Sequence, residues 1–192
     1  PNPQQYPEKE RARWCLLMTQ AIDKTYRTHT SDSLIRFAGN YYEKVNDLSK
    51  LPTAFYTLGR VQRDLKDNEH AVNSFLKALD LAKGSDDYKL QYLAASQLGH
   101  VYAYSRFIDE ALKTYQQALY FAEQDNDSIS LSYANSYLGR VYGLQKDWNR
   151  SIEFYQKAIS IAQQTSYIPV LRLGLNELAA IYKCCEKYQE AA

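Results

Sequence analysis

The chain has 192 residues, of which 23 are basic and 22 are acidic, so its formal net charge at pH 7 is +1. This balance argues against a nucleic-acid-binding protein or a polybasic membrane-surface protein, and we expect this chain to contact no nucleic acid. Its sequence contains no run of 18 or more apolar residues, which excludes a transmembrane helix within it. The three cysteines, with Cys184 and Cys185 adjacent, do not favour a disulfide framework.

Residues 1–7 are rich in Pro and Gln and predict a loose lead-in. Residues 8–48 predict a helical hairpin with a break at residues 28–32, where Ser31 or Asp32 is a candidate cap of the second helix. We expect each of its helices to bury one apolar side. The apolar positions are Trp14, Leu17, Met18, Ala21 and Ile22 on the first helix and Leu34, Ile35, Ala38, Tyr41 and Tyr42 on the second.

From residue 50 onwards the sequence repeats with a period of 40 residues, and such a fixed period marks a repeat architecture. Each full copy carries two apolar helix faces separated by a short break, so each predicts a helical hairpin. The predicted domain is one solenoid over residues 1–192, in which residues 8–48 form a divergent first hairpin. Full repeats follow at 50–85, 86–126 and 127–166, and an incomplete fourth repeat occupies 167–192. The repeated pairs are Leu58-Gly59, Leu98-Gly99, Leu138-Gly139 and Leu178-Ala179.

Small residues and turn residues recur at the same spacing. Glycine inside a helix costs about 0.5–1 kcal/mol relative to alanine, so the recurring glycines predict close contacts between helices. Asp67 and Asp147 are candidate helix N-caps, and Gly84 suits a helix C-terminus. Large residues before each second helix are expected to anchor the turns. These anchors are Ile108, Trp148 and Tyr188, 40 residues apart, and Ala191 belongs to the second helix of the fourth copy.

This pattern resembles the tetratricopeptide repeat (TPR) family, in which Leu-Gly and Tyr on a first helix precede Ala, an aromatic residue and Ala on a second. The second copy matches with Leu98, Gly99, Tyr102, Ala111, Tyr115 and Ala118, whereas other copies depart at Gln62, Asn135, Ser151 and Ala179. The period of 40 exceeds the family's usual value of about 34, which predicts helices about one turn longer. The resemblance implies an all-α fold, a right-handed superhelix of antiparallel helical hairpins whose first helices line a concave groove.

Ligand contacts in that family come from the first helices, away from the packing face. Arg60, His100 and Arg140 directly follow the Leu-Gly pairs and should form a ladder. Because Arg presents a planar fork of donors to carboxylates and Tyr gives rigid contact area, we predict a groove for a protein or peptide ligand with acidic groups. The candidate residues are Tyr56, Arg60, Arg63, Ser96, His100, Tyr104, Tyr133, Ser136, Tyr137 and Arg140.

A second interpretation of these positions stays open: Arg60 pairs with Asp64 at i+4 and the other polar residues are simply solvated. In either case we expect Arg60 and Arg140 to be exposed. The family's subclass that clamps the C-terminal carboxylate of chaperones uses Lys and Asn at places where this chain has Tyr56 and Arg60. The resemblance therefore disfavours that class of partner.

No motif in the sequence argues for catalysis. His29, His70 and His100 lack metal-ligand spacing, and phosphate loops, nucleophile elbows and paired catalytic carboxylates are missing from the sequence. We therefore predict a binding scaffold that is not an enzyme and that needs neither a cofactor nor a metal.

An alternative function rests on the N-terminal run of residues 16–21, 30–35 and 41–42. This run is similar to the start of TPR sensor and regulator proteins of anaerobic gut bacteria, which would make the chain an extracytoplasmic sensory module of a larger signalling or transcription-regulating protein. Without that resemblance a cytoplasmic scaffold is expected. The chain starts with Pro1, and residues 189–192 open a helix that does not finish, so we expect a segment of a longer protein.

Overall fold

The computed structural model describes the side chains of residues 5–25 and 27–186 and the helical backbone on to Glu190. Within these residues it contains nine helices and no strand, which confirms the predicted all-α TPR fold. Residues 1–4 of the predicted lead-in and Ala191 lie outside the described residues. The helices are α1 (Glu8–Lys24), α2 (Ser33–Lys44), α3 (Leu51–Asp64), α4 (Asn68–Ala82), α5 (Tyr88–Tyr104), α6 (Ile108–Gln124), α7 (Ser128–Leu144), α8 (Trp148–Gln164) and α9 (Ile168–Glu190).

The chain forms two compact units, which divide after Val101 near the end of α5. In the first unit, α3 packs against α1, α2 and α4, and α1 also packs against α2. In the second unit, α7 packs against α6, α8 and α9, and α8 also packs against α9. Consecutive helices therefore pair as hairpins within each unit, as the 40-residue period predicts.

The buried face of α1 differs from the predicted one. The predicted face contained Leu17 and Met18, but these side chains are 53% and 37% exposed. The helix instead buries small side chains at i, i+3, i+4 and i+7, which let α2 and α3 approach closely. Hydrophobicity alone misplaced this face because close helix packing selected small residues over large ones. The buried residues are Ala12, Cys15, Leu16 and Thr19.

Two of the repeated glycines lie directly under an aromatic ring. A Cβ added at Gly59 would lie 2.7 Å from the Phe75 ring, and one added at Gly139 would lie 3.0 Å from the Tyr155 ring. Real Cβ atoms essentially never approach a ring carbon to less than 3.0 Å, so Gly59 leaves no room for a methyl group. The predicted close packing is thus confirmed at these two positions, and it stays a prediction at Gly99.

The turns between helices use left-handed residues at a regular spacing. Positive φ angles occur every 20 residues along most of the chain, and Gly84, with φ of 79°, serves the turn before α5. In these turns the N–H of the second residue after the helix donates to a carbonyl five positions earlier, as in a Schellman motif, for example from Asp67 to Gln62. The other left-handed residues are Asn46, Lys66, Arg106, Asn126, Lys146 and Ser166.

The residue after a left-handed turn often caps the next helix. Asp67 accepts a hydrogen bond from the His70 N–H, and Asp147 accepts one from the Arg150 N–H at 3.1 Å. Asp87 accepts from the Leu90 N–H at 3.0 Å. These caps confirm the sequence-based assignments. At α2 the Ser31 hydroxyl, and not the Asp32 carboxylate, accepts a backbone N–H, that of Ser33.

Departures from the family pattern are compensated by hydrogen bonds inside the repeats. Ser151 occupies an alanine position and donates its hydroxyl to the Gly139 carbonyl at 2.7 Å. The buried Gln62 side chain accepts a hydrogen bond from the Ser74 hydroxyl at 2.6 Å. Because a buried polar group without a partner costs free energy, these bonds explain why polar residues are tolerated there.

The predicted turn near residue 188 is wrong. Helix α9 continues without a break from Ile168 to Glu190, so position 186 lacks the left-handed conformation found at Arg106 and Lys146. At the position that Asp147 fills as a helix cap, the sequence of this repeat has Lys187, and lysine as a residue type cannot accept a backbone N–H. Without that cap, the helical pattern of residues 176–190 continues.

Candidate functional site

The predicted ligand residues of the first unit lie on α3 and α5. Arg60 is not exposed as predicted, since only 26% of its side chain is accessible. Its Nη2 donates to Asp23 Oδ1 at 2.8 Å, and its Nη1 lies 3.5 Å from the Tyr56 hydroxyl. Burial opposes the charge on Arg60, but Tyr56 and the carboxylates of Asp23 and Asp64 outweigh it and raise the pKa of the guanidinium. Arg60 therefore joins α3 to α1.

Arg63 is held in a similar way by neighbours. Its Nη2 donates to Asp64 Oδ1 at 2.7 Å, and its Nη1 donates to the side chain of Gln97 on α5. Asp64 thus bonds Arg63 and not Arg60, so the predicted i+4 pair is absent from the described ion pairs. Both arginines are oriented by carboxylates before any ligand arrives, which lowers the entropy lost on binding.

A buried histidine lies next to these ion pairs. The side chain of His29 is 3% accessible, and its Nε2 lies 3.8 Å from Asp23 Oδ1 without a hydrogen-bond partner in the described part of the chain. Ligand atoms of Asp23, His29 and Asp64 all lie within 4.8 Å of one another, an arrangement that could in principle hold a metal ion. The sequence spacing did not reveal this cluster, because folding brings its members from three separate segments.

The predicted residues of α5 differ from one another in exposure. Ser96 is buried, with 3% exposure, and donates its hydroxyl to the Leu93 carbonyl. His100 is half-buried, whereas Tyr104 is 85% exposed at the end of the helix. Ser96 therefore supports the helix, while the other two side chains remain accessible to a ligand.

In the second unit the predicted tyrosines form a cluster. Tyr133 and Tyr137 stack on α7 with ring centroids 6.0 Å apart. Tyr137 also lies 5.2 Å from the buried Tyr115 ring of α6, and Tyr133 lies 6.1 Å from Tyr167, edge to face. Such offset and edge-to-face contacts stabilise aromatic pairs by about 0.5–1.5 kcal/mol beyond their buried area. The half-buried rings of Tyr133 and Tyr137 are thus fixed on the surface of α7.

Arg140 is exposed one helical turn from Tyr137. Burial raises the pKa of Tyr115, Tyr137 adds to the rise, and Arg140 opposes it. The pKa of Tyr155 is raised first by burial and then by Glu177, whose carboxylate lies 3.5 Å from the hydroxyl, and Arg140 again opposes the shift. At neutral pH both hydroxyls therefore stay protonated, so they donate hydrogen bonds and are poor nucleophiles. We call Tyr133, Tyr137 and Arg140 the α7 surface.

Ser136 differs from its neighbours on α7. It is 3% exposed, and its hydroxyl has no hydrogen-bond partner among the described residues. A ligand on the α7 surface does not reach it without a local rearrangement. Of the ten predicted residues, Ser96 and Ser136 are therefore the two that the fold buries.

Sequence reasoning missed several residues that contact the predicted ones. Gln97, Tyr137 and Glu177 share one position of the 40-residue register, and the same register places Asp23 with Arg63. Aligning the divergent first hairpin to the later copies would therefore have brought Asp23 to the groove positions. No comparable signal marks Tyr167, which precedes α9 in the turn.

Measured over residues 5–25 and 27–190, the helices lack the long apolar stretch that a transmembrane segment needs.

Several solved structures share this fold. The apo form of RapI superposes with a TM-score of 0.82 at 14% identity, over 97% of this chain and 52% of that one. The nearly identical TPR-like repeats of a putative kinesin light chain from Podosopora anserina give 0.75 at 16% identity, over 97% and 92%. A Rap protein complexed with Competence and Sporulation Factor gives 0.76 at 15% identity, over 98% and 53%. The chain thus spans about half the length of both Rap proteins.

At these identities the structural likeness shows the fold alone. No curated protein matches the chain in sequence. One sequence profile of the tetratricopeptide repeat matches residues 91–164, and another matches residues 52–84. The two profiles together include more than half of the 192 residues and both repeat registers described above. The chain belongs to the tetratricopeptide repeat family.

Proposed function

We propose that this chain is a non-catalytic scaffold that binds a peptide segment of a partner protein, and that the α7 surface is a principal contact. The observation that carries the proposal is the stacked pair Tyr133 and Tyr137 beside the exposed Arg140. Rigid aromatic side chains give contact area at a small entropic cost, and Tyr and Arg are enriched among residues that dominate binding energy. The fixed tyrosine rings are therefore suited to bind apolar peptide side chains.

Charge gives the second part of the proposal. Arg140 presents a guanidinium at the edge of the tyrosine pair, where a carboxylate of the ligand can form paired hydrogen bonds. Glu177, bonded to Tyr155 on the neighbouring helix, repels a second ligand carboxylate from that side. The preferred peptide thus carries one acidic residue close to an aromatic or aliphatic one.

The similar Rap protein complexed with Competence and Sporulation Factor supports the proposal by analogy, since that TPR-fold protein binds a factor. We do not extend the proposal to the extracytoplasmic sensory module, because no contact in the described residues favours sensing over binding.

A random peptide library selected on the wild-type chain tests the proposal. Fluorescence polarisation should then show that Arg140→Glu and Tyr137→Ala each weaken the best peptide by roughly tenfold or more. Lys113→Glu is the matched charge reversal: Lys113 is exposed on α6, two residues from the buried Tyr115, and so points away from the tyrosine cluster. Equal affinities in all four proteins would remove the α7 surface from the proposal.

A further inference from the structure

A charged cavity of about 330 Å³ lies between the C-terminal ends of α1 and α3 in the first unit. A space of this size accommodates one small group of a ligand, such as a peptide side chain or a phosphate. Its wall combines three guanidinium groups with two carboxylates and one hydroxyl. The lining residues are Asp23, Arg27, Thr28, Arg60, Arg63 and Asp64.

The charges on this wall do not balance. Asp23 is paired with Arg60, and Asp64 is paired with Arg63. Arg27 is exposed and makes no side-chain hydrogen bond or ion pair among the described residues, so one positive charge is left over. A single anionic group that enters the cavity would neutralise it.

Hydrogen-bond donors also exceed acceptors there. Each guanidinium carries five N–H donors. Arg60 uses two of them, toward Asp23 and Tyr56, and its Nε is buried without a partner in the described part of the chain. Arg63 makes three bonds, two to Asp64 and one to Gln97. A buried donor without an acceptor is uncommon in folded proteins, and an anion beside Arg60 supplies oxygen atoms to such donors.

Helix dipoles oppose an anion here, because the C-termini of α1 and α3 carry partial negative charges of about half an elementary charge. The carbonyls responsible are partly neutralised, since Arg27 N–H donates to the Ile22 carbonyl and Asp67 N–H donates to the Gln62 carbonyl. Full guanidinium charges in direct contact with a ligand therefore outweigh these distant, solvent-screened partial charges.

A cation fits the cluster less well than an anion does. Asp23, His29 and Asp64 offer three ligand atoms, but Arg60 Nη2 already bonds the Asp23 oxygen that lies nearest His29. A divalent metal would have to displace this guanidinium and would add two positive charges beside three arginines. The charge balance therefore favours an anionic ligand over a metal ion.

We propose that this cavity binds an anionic group, a carboxylate or a phosphate, through the guanidinium groups of Arg27, Arg60 and Arg63 and the hydroxyl of Thr28. The inference deepens the proposed function, on which it rests for the ligand being a peptide, by giving the ligand's acidic group a second anchor in the first unit. Binding of a free anion does not depend on that function and tests the cavity alone.

The test is NMR of the full ¹⁵N-labelled chain at constant ionic strength, with chloride exchanged for inorganic phosphate in one titration and for N-acetyl-triglutamate in another. We expect saturable shifts of the Thr28 amide and of the Nε–H signals of Arg60 and Arg63. Arg27→Gln should weaken binding about tenfold, because it removes one charge-assisted contact. The matched control Arg36→Gln removes a charge that pairs with Asp32 on α2 and should leave binding unchanged.

The two titrations separate the possible sources of the anionic group. Saturation by phosphate with little response to triglutamate assigns the cavity to phosphate groups, and the reverse assigns it to carboxylates. Unsaturable shifts with both probes, or equal affinity in wild type and Arg27→Gln, overturn the proposal. If selected peptides still need Arg140 while neither anion binds the cavity, only this inference fails; if anions bind while no peptide needs Arg140, only the α7 proposal fails.

Discussion

Arg60 Nη2 on α3 lies 2.8 Å from Asp23 Oδ1 on α1, and this ion pair joins the divergent first hairpin to the first full repeat. Its members come from positions 37 residues apart in the chain, and 26% and 16% of their side chains are accessible. The pair gives Arg60 a structural role in addition to any contact with a ligand. Variants at Arg60 must therefore be interpreted through stability before they are interpreted through binding.

We expect Arg60→Glu to lower the free energy of unfolding by about 2 kcal/mol or more, because it places a third carboxylate beside Asp23 and Asp64. Urea denaturation followed by circular dichroism measures the loss. Arg140→Glu serves as the control, since Arg140 is exposed and should cost less than about 0.5 kcal/mol. Equal stability of the two variants would show that the ion pair contributes nothing to the fold.

Gly59→Ala should destabilise the chain by about 1–3 kcal/mol, although alanine favours helices, because its Cβ would lie 2.7 Å from the Phe75 ring. Gly39 provides the matched control on α2, where an added Cβ meets no atom within 4 Å. Gly39→Ala should therefore stabilise the chain by up to about 1 kcal/mol. Thermal unfolding of both variants checks the opposite signs, and a melting temperature that rises in both would contradict the close packing.

Asp147→Ala should cost about 1 kcal/mol at pH 7 because it removes the cap of α8. Hydrogen bonds from the backbone N–H and then the side chain of Arg150 lower the pKa of Asp147, so its contribution is complete above the unfolded-state pKa, near 4. This contribution is lost as the pH falls through the lower, folded-state pKa.

The difference between wild type and Asp147→Ala should therefore shrink below pH 4, which urea titrations at pH 7 and pH 3 can measure. Asp86→Ala is the control, because Asp86 is exposed in the turn before α5 while Asp87 makes the capping bond there. A difference for Asp147→Ala that stays constant between the two pH values would rule out the carboxylate cap.

Local sequence signals predicted the helices well because each one depends on residues close in the chain. The Leu-Gly pairs gave the period, and Asp67, Gly84 and Asp147 marked the ends where caps and a left-handed turn are found. A cap or a turn involves only a few neighbouring residues, so its physical cause is visible in the sequence.

Contacts between distant segments were harder to predict. The burial of Leu17 and Met18 was wrong because α1 packs through its small residues, and Arg60 was expected to be exposed because its partner Asp23 lies in another hairpin. The α7 tyrosines were identified as candidates, but their stacking depends on Tyr115 and Tyr167 from other segments. Such pairings require the three-dimensional register of the repeats.

The most direct test of peptide binding at the α7 surface is a crystal structure of the chain with the tightest peptide selected from the library. We predict peptide atoms within about 4 Å of the Tyr133 and Tyr137 rings and a ligand carboxylate bonded to Arg140, distances typical of packing and of charge-assisted hydrogen bonds. A peptide that contacts only the exposed faces of α6 and α8 would contradict the account.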